Sequence, residues 1–102
     1  MPKPRVELQA LLENVLGSRN VYFQPPESVK LKYPAIVYSL STIESRFADN
    51  SVYSRYKAYQ ITVIDTNPDS DIRDRVSELP MCRFKSSYTA DRLNHYVFSM
   101  YF

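Results

Sequence analysis

Alternating apolar and polar residues recur along this 102-residue chain and commit much of it to a β-sheet. Successive side chains of a strand point to opposite faces, so such a run has one face to bury. From Ala35 to Ile43, after Pro34, the residues Ile36, Tyr38 and Leu40 alternate with Val37, Ser39 and Ser41. From Ser54 to Asp65, Tyr59, Ile61 and Val63 alternate with Ala58, Gln60, Thr62 and Ile64. Met81–Ser87 reads as a strand burying Cys82 and Phe84, with Arg83 and Lys85 on its other side. After a turn near Ala90-Asp91, a last strand runs from Asn94 to Phe102. It has Tyr96, Phe98, Met100 and Phe102 on one face and Val97, Ser99 and Tyr101 on the other. A shorter strand, Asn20 to Phe23, is ended by Pro25-Pro26, which cannot donate to a ladder.

Two segments carry a helical period instead. In residues 5–16, Leu8, Leu11, Leu12, Val15 and Leu16 share a face, while Glu7, Gln9, Glu13 and Asn14 cover the opposite one. Pro4 suits the start of this helix and Gly17 its end. The second helix is expected to begin with Asn67 as cap and Pro68 at the first helical position. Asp69 and Asp71 then sit in its first turn, Ile72, Val76 and Leu79 form the buried stripe, and Pro80 stops it. The resulting order, α-β-β-β-α-β-β, predicts an α+β fold: a mainly antiparallel or mixed sheet with both helices on one face. Residues 1–102 read as a single domain. The polar stretch at about 44–53, centred on Asp49-Asn50-Ser51, reads as a long hairpin connection projecting as an arm.

Composition narrows the function classes. A single glycine leaves no room for a glycine-rich phosphate cradle. One cysteine, Cys82, forms no internal disulfide, and its apolar neighbours Met81 and Phe84 suit an inert thiol. One histidine, His95, is all that a nucleophilic triad could use, and no serine sits in a nucleophile elbow. No catalytic or cofactor-binding residue emerges. The run containing Asp65, Asp69, Asp71 and Asp74 lacks the glycine and terminal glutamate of a calcium loop, so no metal is expected. Arg73 and Arg75 read as a solvated face, pairing with Glu78, Asp69 or Asp71.

The net charge of +2 is too small to make a nucleic-acid footprint by itself. No stretch approaches the ~20 apolar residues of a membrane span, and the first residues lack the apolar core of a signal peptide. Nine Tyr and five Phe are more aromatic rings than so small a domain readily buries, and Tyr is enriched at protein contacts. Tyr38, Tyr53, Tyr56 and Tyr59, interleaved with Arg55 and Lys57, could alternatively stack bases, although no RNA-binding signature accompanies them. Arg46, Phe47, Tyr53, Tyr56 and Lys57, on and beside the arm, are the candidate assembly contacts.

Several segments in order, Val21–Ser28, Tyr33–Tyr38, Tyr59–Ser70, Leu79–Phe84 and Leu93–Phe102, resemble the tail terminator, or tail completion, proteins of long-tailed bacteriophages. These are also labelled minor capsid proteins, and they are encoded between head–tail connector and major tail protein genes. The resemblance covers most of the chain from residue 20 onward. It implies a sheet with two helices, no catalytic residues, and a virion protein assembled in the host cytoplasm. It further implies a homo-oligomeric ring, usually of six subunits, that caps the tail tube and meets the head connector while DNA passes through without specific binding. A stopper or connector adaptor of the same interface is the alternative, and a small nucleic-acid-binding module is a rival from another class.

Overall fold

The computed structural model describes residues 4–48 and 51–102, with side chains described outside 44–56. Its elements are α1 (Arg5–Leu16), β1 (Val21–Phe23), β2 (Ala35–Ala48), β3 (Ser51–Asp65), α2 (Asp71–Ser77), β4 (Cys82–Ala90) and β5 (Leu93–Tyr101). The strands form one five-stranded sheet in the order β1-β2-β3-β5-β4. β1 runs parallel to β2, and the other neighbours are antiparallel, so the sheet is mixed and the fold is α+β. No helix among the described residues is long and apolar enough to cross a membrane.

The sheet is organised around β3. Across its two ladders Ile61 faces Tyr38 and Phe98, Val63 faces Ile36 and Tyr96, and Tyr59 faces Leu40 and Met100. All of these but Leu40 are buried. Leu8, Leu12 and Leu16 of α1 and Ile72 and Val76 of α2 close over the same face. The leucines recur every four residues, which places them one above another on a helix. Burying each such side chain stabilises the fold by roughly 1.5–3 kcal/mol.

The termini of α1 follow the sequence. Pro4 stands extended before the first turn, and Gly17 takes a left-handed φ of 83°, its N–H donating to the Glu13 carbonyl at 2.8 Å. Gln9, expected on the solvent side, turns inward instead. It accepts a hydrogen bond from the hydroxyl of fully buried Tyr38 and donates to the Val21 carbonyl at 3.0 Å. Arg5 donates to the same hydroxyl at 2.9 Å while its guanidinium lies 4.5 Å from the centre of the Phe23 ring. A buried tyrosine hydroxyl needs partners, and the first helix supplies them. Burial, then the neighbouring Tyr38, raises the pKa of Tyr59.

Three expectations change. The cap of α2 is Ser70, whose Oγ accepts from the Ile72 N–H at 3.2 Å. Asn67 is occupied earlier in the turn: its side chain accepts from Asp69 N–H, and its own N–H donates to Asp65. The helix therefore starts later than Pro68 and ends at Ser77, before Pro80. Phe84 is not buried but 52 % exposed, and Cys82 is half-buried, because β4 is the outermost strand and has a neighbour on one side only. A register shift between Phe84 and Ser86 also breaks the alternation. Finally, the segment expected as a polar connection continues both strands. Glu44 pairs with Tyr56, Arg46 with Ser54 and Ala48 with Ser51. The sequence of this segment, Glu44 to Tyr53, lacks the strict apolar alternation that marks the inner strands, so the pairing is not legible there. The 15 residues of β3 set the long dimension of a 52 × 27 × 23 Å molecule.

Left-handed backbone at non-glycine residues occurs at Gln24, Met81, Asp91 and Arg92. The last two form the turn between β4 and β5, with φ of 52° and 64°. Such a paired left-handed turn matches the twist of the strands it joins.

Replacing Phe98, which is 1 % exposed at the sheet centre, with Ala is expected to cost about 3–5 kcal/mol. Gly17→Ala is expected to cost about 1 kcal/mol through its left-handed φ alone, since no atom lies within 4 Å of the added Cβ. Urea denaturation of both variants beside the parent chain checks the ranking.

Candidate assembly interface

The extended hairpin is the first component. β1 pairs with β2 only over Ile36–Tyr38, and β5 pairs with β3 only from Ala58 onward. Beyond Ile43 and Lys57 the backbones of β2 and β3 pair with each other alone among the described strands. A two-stranded ladder in water is marginally stable, and its outer backbone groups are open to another chain. Arg46, Phe47, Tyr53 and Tyr56 all lie in this part of the ladder, and their side chains lie outside the described residues. Lys57 marks the root of the arm. It pairs with Ile43, is half-buried, and its carbonyl accepts from the Phe102 N–H at 3.0 Å. Ile43, directly opposite, is 53 % exposed, and Leu40 is 38 % exposed.

The second component is the edge of the sheet. Its two edges are unequal. β1 is three residues long and is followed by Pro25 and Pro26, which shield it from extension. β4 is nine residues long, and residues 83–89 are all exposed. Phe84 and Tyr88 flank this edge, each 52 % exposed, and Met81 precedes it. Phe84 meets Phe98 edge-on with ring centres 5.5 Å apart. Between α2 and β4 an open groove of about 330 Å³ is lined by Arg73, Ser77, Phe84, Tyr96 and Phe98, among others. Sequence reasoning missed this surface, having assigned Phe84 to the core.

The arginines of α2 are also used differently from expectation. Arg73 donates to the Pro68 carbonyl at 2.9 Å and the Tyr96 hydroxyl at 3.0 Å, and lies over the Tyr96 ring. Its ion pair with Asp74, at 3.7 Å, is exposed and contributes little. Arg75 donates to the Val15 carbonyl at 3.0 Å, joining α2 to the last turn of α1, where a cation meets the negative end of the helix.

The opposite sheet face carries a second shallow groove, of about 350 Å³, below the segment joining β1 to β2. Pro25, Val29 and Leu31 overhang Ile64, Tyr88 and His95 there. His95 stacks on Tyr88 with ring centres 4.6 Å apart and planes 10° apart, and its Nδ1 contacts the Leu93 carbonyl at 3.2 Å. His95 and Cys82 do not meet. Cys82 pairs with Met100, five positions along β5 from His95, or roughly 17 Å at the strand rise. Burial pushes the Cys82 thiol up to about 11, with the Arg83 backbone hydrogen bond opposing that rise. A protonated thiol is a poor nucleophile. Among the described residues, no group of three or more His, Cys, Asp or Glu side chains converges as a metal site.

The surface therefore offers open backbone ladders flanked by exposed aromatic and aliphatic side chains, chemistry suited to protein contact. The chain matches no family model and no curated protein.

The raised thiol pKa has a consequence for stability. The unfolded thiol ionises near its ordinary 9.0, while the folded thiol holds its proton to about 11. The folded form thus binds more protons between these values, and stability falls as pH rises from about 9 to about 11. Denaturation curves across that range are expected to show a decline that is shallower in Cys82→Ala.

Proposed function

We propose that this chain is a structural subunit of a long-tailed phage virion, a tail terminator that closes the end of the tail tube and meets the head connector. The observation that carries the reading is the β2–β3 hairpin. Both of its strands run past every other element of the sheet, leaving paired backbone with open ladders on either side. A domain that works alone gains nothing from such an extension, whereas an assembling subunit uses it to reach its neighbour. The resemblance of the segments from Val21 to Phe102 to tail completion proteins supplies the identity of the assembly. The exposed Met81, Phe84 and Tyr88 add apolar surface of the kind that protein contacts cover.

In this reading the subunits close head-to-tail into a ring, usually a hexamer formed on assembly. One rim sits on the major tail tube protein and the other on the connector. Arg46, Phe47, Tyr53, Tyr56 and Lys57 make contacts from the arm. DNA crosses the lumen without specific binding, which a net charge of +2 allows, since strong phosphate contacts would retard it.

Deleting residues 45–52 is expected to leave a folded chain, because β1 and β5 pair with β2 and β3 only outside that segment, and to abolish the joining of heads to tails. Virion yield from a complemented null phage measures this, and undiminished yield sinks the role of the arm. Electron microscopy of the null itself separates the assignments. Overlong or unjoined tails fit a terminator, and heads that leak DNA fit a stopper.

A further inference from the structure

We infer that the outer edge of β4 is the docking site for the β2–β3 arm of a second copy of the chain, which adds to the sheet as a further strand. This deepens the reading of the chain as a self-assembling subunit, and it rests on that reading.

Each copy has one long open edge, the nine residues of β4, and one ladder that outruns the core, formed by β2 beyond Thr42 and β3 before Ala58. The other sheet edge is closed to this use by its three-residue length and its two prolines. The lengths also agree. The outer edge of β2 is open over eight residues, from Ser41 to Ala48, past Leu40, whose N–H donates to the Gln24 side chain, against the nine residues of β4. The arm needs a third strand to be stable, and β4 lacks a second neighbour. One contact meets both needs, and each copy can give an arm and receive one.

Side chains favour the same place. A strand laid along β4 flanks Phe84 and Tyr88, which are half-exposed because β4 has no strand on its outer side. Cross-strand neighbours of aromatic residues stabilise a strand pair.

The ladder identifies which backbone groups take part. The turn at Asp91–Arg92 makes Ala90 and Leu93 the closing pair, and such a pair exchanges hydrogen bonds. Bonded pairs then alternate along the ladder, so Tyr88–His95 and Ser86–Val97 are bonded while Ser87 and Thr89 turn their N–H groups outward. Proline at Ser87 or Thr89 thus removes a donor from the docking edge and none from the β4–β5 ladder.

The test uses full-length chains and two complementary defects. One variant lacks residues 45–52 and keeps the edge. The other carries Ser87→Pro and keeps the arm, with Thr89→Pro as a second version should the first fail to fold by circular dichroism. Sedimentation velocity is run on each alone and on an equimolar mixture. The parent chain is expected to self-associate, each variant alone to remain a folded monomer, and the mixture to give a complex of twice the monomer mass and nothing larger.

The inference is overturned if the proline variants associate as the parent does, if the mixture fails to pair, or if the parent stays monomeric to its solubility limit. Its failure is distinguishable from failure of the ring. A parent that closes as a dimer, with variants that pair, keeps the docking and removes the ring. Rings that persist in Ser87→Pro keep the ring and remove the docking.

Discussion

Everything in this fold depends on the alternation along β3. That strand lies at the middle of the sheet, and Tyr59, Ile61 and Val63 meet partners on both sides before the helices cover them. A slip of one residue against either neighbour would turn these three outward and bring Gln60 and Thr62 under the leucines of α1. The register is therefore fixed by burial. The same burial holds α2, whose seven residues are too few to be stable alone, in place through Ile72 and Val76.

How much of this is legible in the sequence follows from what each element buries. The inner strands and α1 bury one face cleanly, so their periodicity gives their positions to within a few residues, and the order of elements follows. β4 shows where that logic stops. Cys82 and Phe84 alternate with Arg83 and Lys85 as a half-buried strand would, yet the strand is outermost and Phe84 stays half in water. Alternation reports which side chains share a face, not whether another layer covers it. The arm shows the converse. A polar run that reads as loop is there paired backbone, since backbone pairing does not require apolar alternation. The cap of α2 is a local ambiguity: Asn67 and Ser70 are both competent, and the turn that engages Asn67 with Asp65 and Asp69 decides between them.

Among the candidate site residues, the sequence points to the arm through its polarity and length, and it misses the β4 edge through the misplaced Phe84. The two surfaces sit at different extremities of the sheet. That separation suits a subunit that is held on one side and holds on the other, because a contact between unlike patches propagates from copy to copy where a contact between like patches ends at two.

The left-handed residues are distributed unevenly. Gln24 follows β1, Met81 precedes β4, and Asp91 and Arg92 follow it; among the described residues, none lies within β2 or β3. Side chains other than glycine hold that conformation at a cost of roughly 1 kcal/mol each. Among the described residues, that conformational cost thus falls beside the two outer strands and not within the central ladders.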